Sequence, residues 1–250
     1  MTDWRSEVGA WWAGRLGLPR TALREGGTYV APISGHVGMM AVSGADRPLV
    51  YGPAWALPAL RRVLSDPPGG CLLAEGDLLP GGPLTAVAAS VSAALGAPPA
   101  AMIGPAWYGY VTAATLTPVR SPLVRPLSPA DLSLLTRLHE QTPPAERDES
   151  GTTGLPAFGY LDGDDLLAVA CLGVWHEMPT VGVLTHPGHR GRGLARAVVA
   201  AAAQAGLDRR AVVQYRAWRA NAASIAVARG TGFTHFCDGL VIDVEKQRAR

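Results

Sequence analysis

The residues of this chain best suited to chemistry stand together in one stretch. An apolar run, Val181-Gly182-Val183-Leu184-Thr185, leads into the turn His186-Pro187-Gly188-His189-Arg190-Gly191-Arg192-Gly193, and an Ala/Val-rich segment follows to Ala203. Gly188, Gly191 and Gly193 carry no Cβ, so the backbone can bend sharply there and bring free N–H groups close to a ligand. The turn opens a helix-forming segment, whose unsatisfied first-turn N–H groups and positive dipole end favour an anion. Arg190, Arg192 and Arg196 add formal charge of the matching sign. Strand, glycine turn and helix in this order make a cradle of pyrophosphate size.

Spacing separates this cradle from two others. A P-loop needs four residues between its glycines and then Lys-Ser/Thr, and no such string follows Gly188 or Gly191. The dinucleotide fingerprint Gly-x-Gly-x-x-Gly begins well at Gly191 and Gly193, but Arg196 stands where its third glycine belongs. The string that fits, Arg190-x-x-Gly193-x-Ala195, resembles the Arg/Gln-x-x-Gly-x-Gly/Ala motif of the GNAT acyltransferase superfamily. A second stretch, Asn221-Ala-Ala-Ser224-Ile-Ala-Val-Ala228-Arg-Gly-Thr-Gly232-Phe233, reads by itself as an Asn-capped helix ended by Gly230 or Gly232. It is similar to that family's Asn-x-x-Ser/Ala helix ending in Gly-Phe.

The resemblance implies a ligand and a reaction. Arg190, Gly191, Arg192, Gly193, Leu194 and Ala195, with Asn221 and Ser224, would hold the acyl-coenzyme A, and the backbone of Val183, Leu184 and Thr185 would bind its thioester carbonyl and pantetheine arm. The implied activity is acyl-CoA-dependent N-acyl transfer, with acetyl-CoA the first donor expected, to the amine of a small molecule or a protein. Many relatives carry a Glu early on the strand before the loop; here Met178-Pro179-Thr180 supplies no base. On a strand running through this region, alternation sets Glu177 on the face of Pro179 and His176 on the other, and these two are the candidate catalytic residues. Ala228 stands where many relatives have an acidic Tyr, with Tyr215 as a substitute or a core residue. Other readings are an acyl-CoA-binding sensor or scaffold with little turnover, and a transferase using a longer acyl-CoA or an aminoacyl-tRNA.

The elements that must position these residues follow from the pattern. The resemblance covers about residues 121–245, and a GNAT unit needs only about 150 residues of the 250. The expected fold is α+β: a C-terminal GNAT fold over 121–250, a mixed, mostly antiparallel sheet flanked by helices, preceded by a smaller α/β domain over 1–120. A degenerate GNAT-like half is the first expectation for that domain, and a separate dimerisation domain the alternative. Four prolines in Thr117–Pro129 mark the link.

Within the first half, the spacing predicts a Trp-rich helix over 3–18 after a Thr2 or Asp3 cap, strands Thr28–Ile33 and Val37–Val42 about a Ser34-Gly35 turn, and a helix Ala54–Ser65 stopped by Pro67–Gly70. A short core segment Cys71–Ala74, a helix Leu84–Leu95 after Gly81-Gly82-Pro83, and a strand Ala106–Leu116 after Ala97-Pro98-Pro99 follow. Ser128 caps a helix 129–140, and Gln141–Thr153 reads as a charged loop. Then come a hairpin Phe158–Asp162 and Leu166–Val174, the strand Thr180–Thr185, the helix 191–205, the strand Ala211–Tyr215, the Asn221 helix, and two strands Thr234–Cys237 and Leu240–Val244 turned at Asp238-Gly239.

Composition excludes other classes. A hydrophobic content of 48% with 17% charged residues fits a packed core. No apolar run reaches the length of a membrane span. The first residues hold acidic groups and no apolar core, so a secretory signal is not expected and a cytoplasmic location is. Cys71, Cys171 and Cys237 are far apart, and His186 with His189 lacks a second pair, so no metal site is expected. A net charge of +2 is too small to imply nucleic-acid binding, and the partners expected are the amine acceptor and, in a homodimer, a second copy; a monomer is equally consistent.

Overall fold

The computed structural model describes residues 3–31, 36–45, 47–65, 83–97 and 102–244. The expected Thr2 cap, Ser34-Gly35 turn, Pro67–Gly70 stop, Cys71–Ala74 segment, Gly81-Gly82 and Pro98-Pro99 lie outside these residues. By compactness the chain divides into two units that interleave in sequence: Met1–Tyr108, Ala217–Asn221 and His235–Arg250 form the first, and Gly109–Arg216 with Ala222–Thr234 the second.

In the first unit, helix α1 (Trp4–Leu16) starts where the Asp3 carboxylate accepts the N–H of Arg5 and stops at Gly17, whose φ of 66° only glycine adopts freely. Its buried stripe, Val8, Trp12, Ala13 and Leu16, recurs at three and four residues, and Trp12 packs edge-on against Tyr108. The short helix α2 (Ala22–Glu25) precedes the strands β1 (Gly27–Val30), β2 (His36–Val42) and β3 (Leu49–Gly52). A 3-10 turn over Ala54–Ala56 runs into α3 (Leu57–Ser65), and α4 (Pro83–Ala94) leads to β4 (Met102–Val111). β3 has no counterpart in the sequence expectations: Leu49-Val-Tyr-Gly52 is too short for a periodic signal, and burial of all four residues hides any alternation.

The last strand of this unit is supplied by the C-terminal part of the chain, β10 (Thr234–Asp243), which pairs antiparallel with β2 from Cys237↔Val42 to Asp243↔His36. The strand order is β1-β3-β2-β10-β4. The expected turn at Asp238-Gly239 is corrected here, since β10 runs straight through it. Gly239 is needed for packing: a Cβ there would sit 3.0 Å from the Tyr108 ring. Asp238 is spent on a buried ion pair with Arg219 at 2.9 Å. Val37, Met39, Val50, Leu60, Val91 and Leu240 form the core between this sheet and α3 and α4.

The second unit begins with β5 (Val124–Pro126), followed by a 3-10 turn over Pro129–Asp131, α5 (Leu132–Glu140) and α6 (Pro144–Ser150). The expected loop at Gln141–Thr153 therefore contains a helix, with Pro144 in its first turn and Gly151 at φ 67° closing it. The antiparallel strands β6 (Ala157–Asp162), β7 (Asp165–Trp175) and β8 (Met178–Thr185) precede α7 (Leu194–Leu207), β9 (Val213–Trp218) and α8 (Ala222–Gly230). The order here is β9-β8-β7-β6-β5. β7 is buried without a break from Leu166 to Leu172, because both faces of the sheet are covered. Val169 and Cys171 pack with Leu135 and Leu138 of α5, whereas Leu172 meets α7, where a Cβ on Gly206 would lie 3.1 Å from it.

The start of α5 is fixed electrostatically. Arg125 grips Asp131 with two hydrogen bonds of 2.9 and 2.7 Å, and the Ser128 N–H and hydroxyl donate to the same carboxylate. These bonds, Arg125 first, hold the Asp131 carboxyl well below the usual range. A carboxyl lowered on folding adds stability above its unfolded value near 3.9, and loses it as pH falls through the folded value. Arg125→Ala should thus lower the urea midpoint at pH 6, with the gap to wild type closing below about pH 4.

Candidate functional site

Strand β8 pairs on one side along its whole length with β7, from Trp175↔Met178 to Ala168↔Thr185. On its other side it pairs in parallel with β9 only at Thr180↔Gln214 and Val181↔Tyr215. Beyond Val181, no further rung joins β8 to β9 among the described residues. Alternation decides which groups this opens. The His186 N–H donates to the Leu167 carbonyl, so residues 186, 184 and 182 direct their backbone groups to β7, and Val183 and Thr185 direct theirs to the open side. Leu184, expected among the backbone donors, instead faces β7 and buries its side chain in the core.

The glycine turn follows directly. A 3-10 turn over Pro187–His189 is tied by the Gly188 N–H to His186 Nδ1 at 3.1 Å. Gly191 and Gly193 take φ of 75° and 81°, left-handed conformations open to glycine. Nothing lies within 4 Å of where a Cβ on either would stand, so both positions border open space. Helix α7 then opens at Leu194 with no side chain capping its first turn. A groove beside it is lined by Arg120, Ser121, Tyr160, Arg192, Gly193 and Leu194. Arg120 belongs to the proline-rich link and Tyr160 to the hairpin, both far from the turn in sequence, and only proximity across the fold brings them to it.

The three arginines of the turn have different surroundings. Arg190 pairs with Glu146 of α6, both about half exposed. Arg196 donates to the Gly230 carbonyl at 2.8 Å and so ties α7 to the end of α8. Arg192 lines the groove, as Arg196 also does, and stands 3.5 Å from His189 Nδ1. Asn221 is exposed just before α8. Ser224, in the first turn of α8, lies 2.9 Å from the Tyr215 hydroxyl. Tyr215 is the last residue of β9 paired to β8; burial pushes its phenol up to about 12, partly countered by the Ser224 bond, and its ring packs on Phe233. Ala228 is fully buried.

His176 and Glu177 are not on a strand. They form the two-residue turn between β7 and β8, with φ of 48° and 66°, so the alternation argument for them is corrected. The Glu177 carbonyl accepts from Arg210 at 2.7 Å. From Glu177 to Val183 the chain runs six residues, roughly 20 Å of strand. Left-handed non-glycine residues are strained by about 1 kcal/mol each. Replacing the pair by Asn-Gly, the residues such turns favour, should raise the melting temperature by a few degrees; a lower melting temperature would contradict the strain.

Residues 157–238 match the family model described as GNAT acetyltransferase. No curated protein matches the chain. Among solved structures, the chain is similar to an acetyltransferase of the GNAT family from Colwellia psychrerythraea, at 16% identity over 84% of this chain and 81% of the other, with a TM-score of 0.48. It is similar to a GNAT-family protein from Novosphingobium aromaticivorans at 21% identity, 59% and 70% coverage and a TM-score of 0.44. It also resembles the ribosomal-protein-S18-alanine N-acetyltransferase of Escherichia coli at 18% identity, 48% and 92% coverage and a TM-score of 0.36. The segment similar to the GNAT acetyltransferase family model, residues 157–238, holds the opened β8 edge, the glycine turn and the α8 motif together.

Proposed function

We propose that this protein transfers an acyl group, acetyl first, from acyl-coenzyme A to the amine of a small molecule or a protein. One observation carries the reading: pairing of β8 with β9 stops at Val181↔Tyr215, shortly before a glycine turn whose Gly191 and Gly193 border open space. The pyrophosphate fits the N–H groups of Gly191 to Ala195 at the α7 N-terminus, with Arg192 adjacent and Arg190 released from Glu146. Val183 and Thr185 offer backbone N–H groups for the pantetheine arm and the thioester carbonyl, and Asn221 and Ser224 border the arm. The thioester supplies an activated acyl carbon and a thiol leaving group. Donors fixed where charge develops, together with proximity to the amine, lower the barrier.

Tyr215 holds its proton throughout the neutral range, and with Ser224 it supplies a hydroxyl pair at the rung where the edge opens. That pair replaces the helix Tyr whose position Ala228 occupies. Glu177 and His176 lie at the far end of β8, roughly 20 Å of strand from Val183, and so take no direct part in deprotonating the amine. Turning these two residues into Asn-Gly should leave the transfer rate within about threefold, an effect below 1 kcal/mol.

The test is to incubate the protein with acetyl-CoA and a panel of amines and follow free thiol. Amine-dependent thiol release supports the enzyme. Saturable CoA binding with no release from any amine would favour an acyl-CoA sensor. The domain division at residue 121 is likewise a proposal, in which 121–250 carries the motifs. Glu146→Gln should change the acetyl-CoA KM by less than about fivefold, since an exposed pair is worth about 0–1 kcal/mol.

A further inference from the structure

Acyl transfer at the glycine turn makes no use of a hydrogen-bonded chain in the first unit formed by Ser43, His235 and Asp238. Ser43 Oγ lies 2.9 Å from His235 Nδ1, and His235 Nε2 lies 3.2 Å from Asp238 Oδ1. Arg219 engages the other carboxylate oxygen at 2.9 Å, which leaves Oδ1 for the imidazole. With Nε2–H donating to the carboxylate, Nδ1 is the acceptor and takes the Ser43 hydroxyl proton. This is the order of nucleophile, base and orienting acid that activates a serine, with the ring presented by its opposite nitrogen compared with serine proteases.

Burial is graded in the same order. Ser43 is partly exposed beside the exposed Gly44, the His235 side chain is 15% exposed, and that of Asp238 only 2%. Trp107 stacks on the imidazole at 5.7 Å with the planes 17° apart, and the Ser43 N–H is anchored on the Phe236 carbonyl at 2.8 Å. Two buried donors of the same cluster, Trp107 Nε1 and Arg219 Nε, have no acceptor among the described residues. Orphaned buried donors are costly, so the polar cluster around His235 and Asp238 is incompletely satisfied.

We propose that Ser43 is a second nucleophile of this protein, the centre of an esterase-like site for small carboxylic esters. The Ser43 oxygen attacks the ester carbonyl carbon while its proton passes to His235 Nδ1. The C–O bond to the alcohol breaks, and the alcohol leaves with that proton. Water then attacks the acyl-serine, giving a proton to Nδ1, and the acid departs as Ser43 recovers its proton. Asp238 is a positioning residue, holding the imidazole in the tautomer that accepts from Ser43.

The experiment is to treat the full chain with a fluorophosphonate probe and map the modified peptide by mass spectrometry. Ser43 should be labelled at least 100-fold faster than the exposed Ser133. Ser43→Ala should lose the label, and folded His235→Gln should react at least 100-fold more slowly. Hydrolysis of 4-nitrophenyl acetate without CoA should fall in parallel. Labelling of Ser43 in wild type no faster than of Ser133 would overturn the proposal, and this comparison needs no variant. Unchanged labelling in His235→Gln that keeps its circular dichroism spectrum would overturn it as well.

Discussion

Gly193→Trp is expected to remove acetyl-CoA binding, raising the dissociation constant at least 100-fold by calorimetry. Two effects add. Gly193 holds φ of 81°, where an L residue is strained by about 1–2 kcal/mol, and the indole would enter the open space beside the turn where the proposed pyrophosphate lies. Because no atom lies within 4 Å of the added Cβ, the side chain starts in open space, and the variant should keep most of its melting temperature. Gly193→Ala separates the two effects: it carries the strain without the bulk, and should lose no more than about tenfold in affinity. Unchanged binding by Gly193→Trp would remove the turn from the site.

The largest loss of stability is expected from Asp238→Ala. Asp238 accepts from both Arg219 and His235 while only 2% exposed, and the Arg219 side chain is 14% exposed with its Nε lacking a partner among the described residues. Removing one member of a buried pair leaves an uncompensated charge and costs about 3–5 kcal/mol. For a chain of this size that is a drop on the order of 10 °C in melting temperature. Arg219→Met with Asp238→Leu should recover more than half of the loss, because the penalty lies in the unpaired charge. A double variant as unstable as Asp238→Ala alone would show that the network matters through its geometry instead.

Much of the fold was legible because its signals are local. Ser128, Pro129 and Asp131 announce the start of α5, and Gly191, Arg192 and Gly193 announce the turn before α7. Where the reading failed, a local signal was overridden by distant contacts. Asp238-Gly239 has the composition of a turn, yet the ring of Tyr108 and the charge of Arg219 hold it straight within β10. His176-Glu177 lacks turn composition, and the pairing of β7 with β8 forces it into one. The charge on Arg190 was visible, but its partner Glu146, 44 residues earlier, was not. At the candidate site, types and spacing located the strand and the turn. Which backbone groups are open depends on the register with β7, and for that reason Leu184 drops out while Val183 and Thr185 stay.

That last distinction gives the most direct measurement. In ¹⁵N-labelled protein titrated with acetyl-CoA, the amides of Val183 and Thr185 and those of Gly191 to Ala195 should move together and saturate at one dissociation constant, while Leu184, bonded into β7, should move least on the strand. Saturable binding that leaves Val183, Thr185 and the turn amides unmoved would contradict the account.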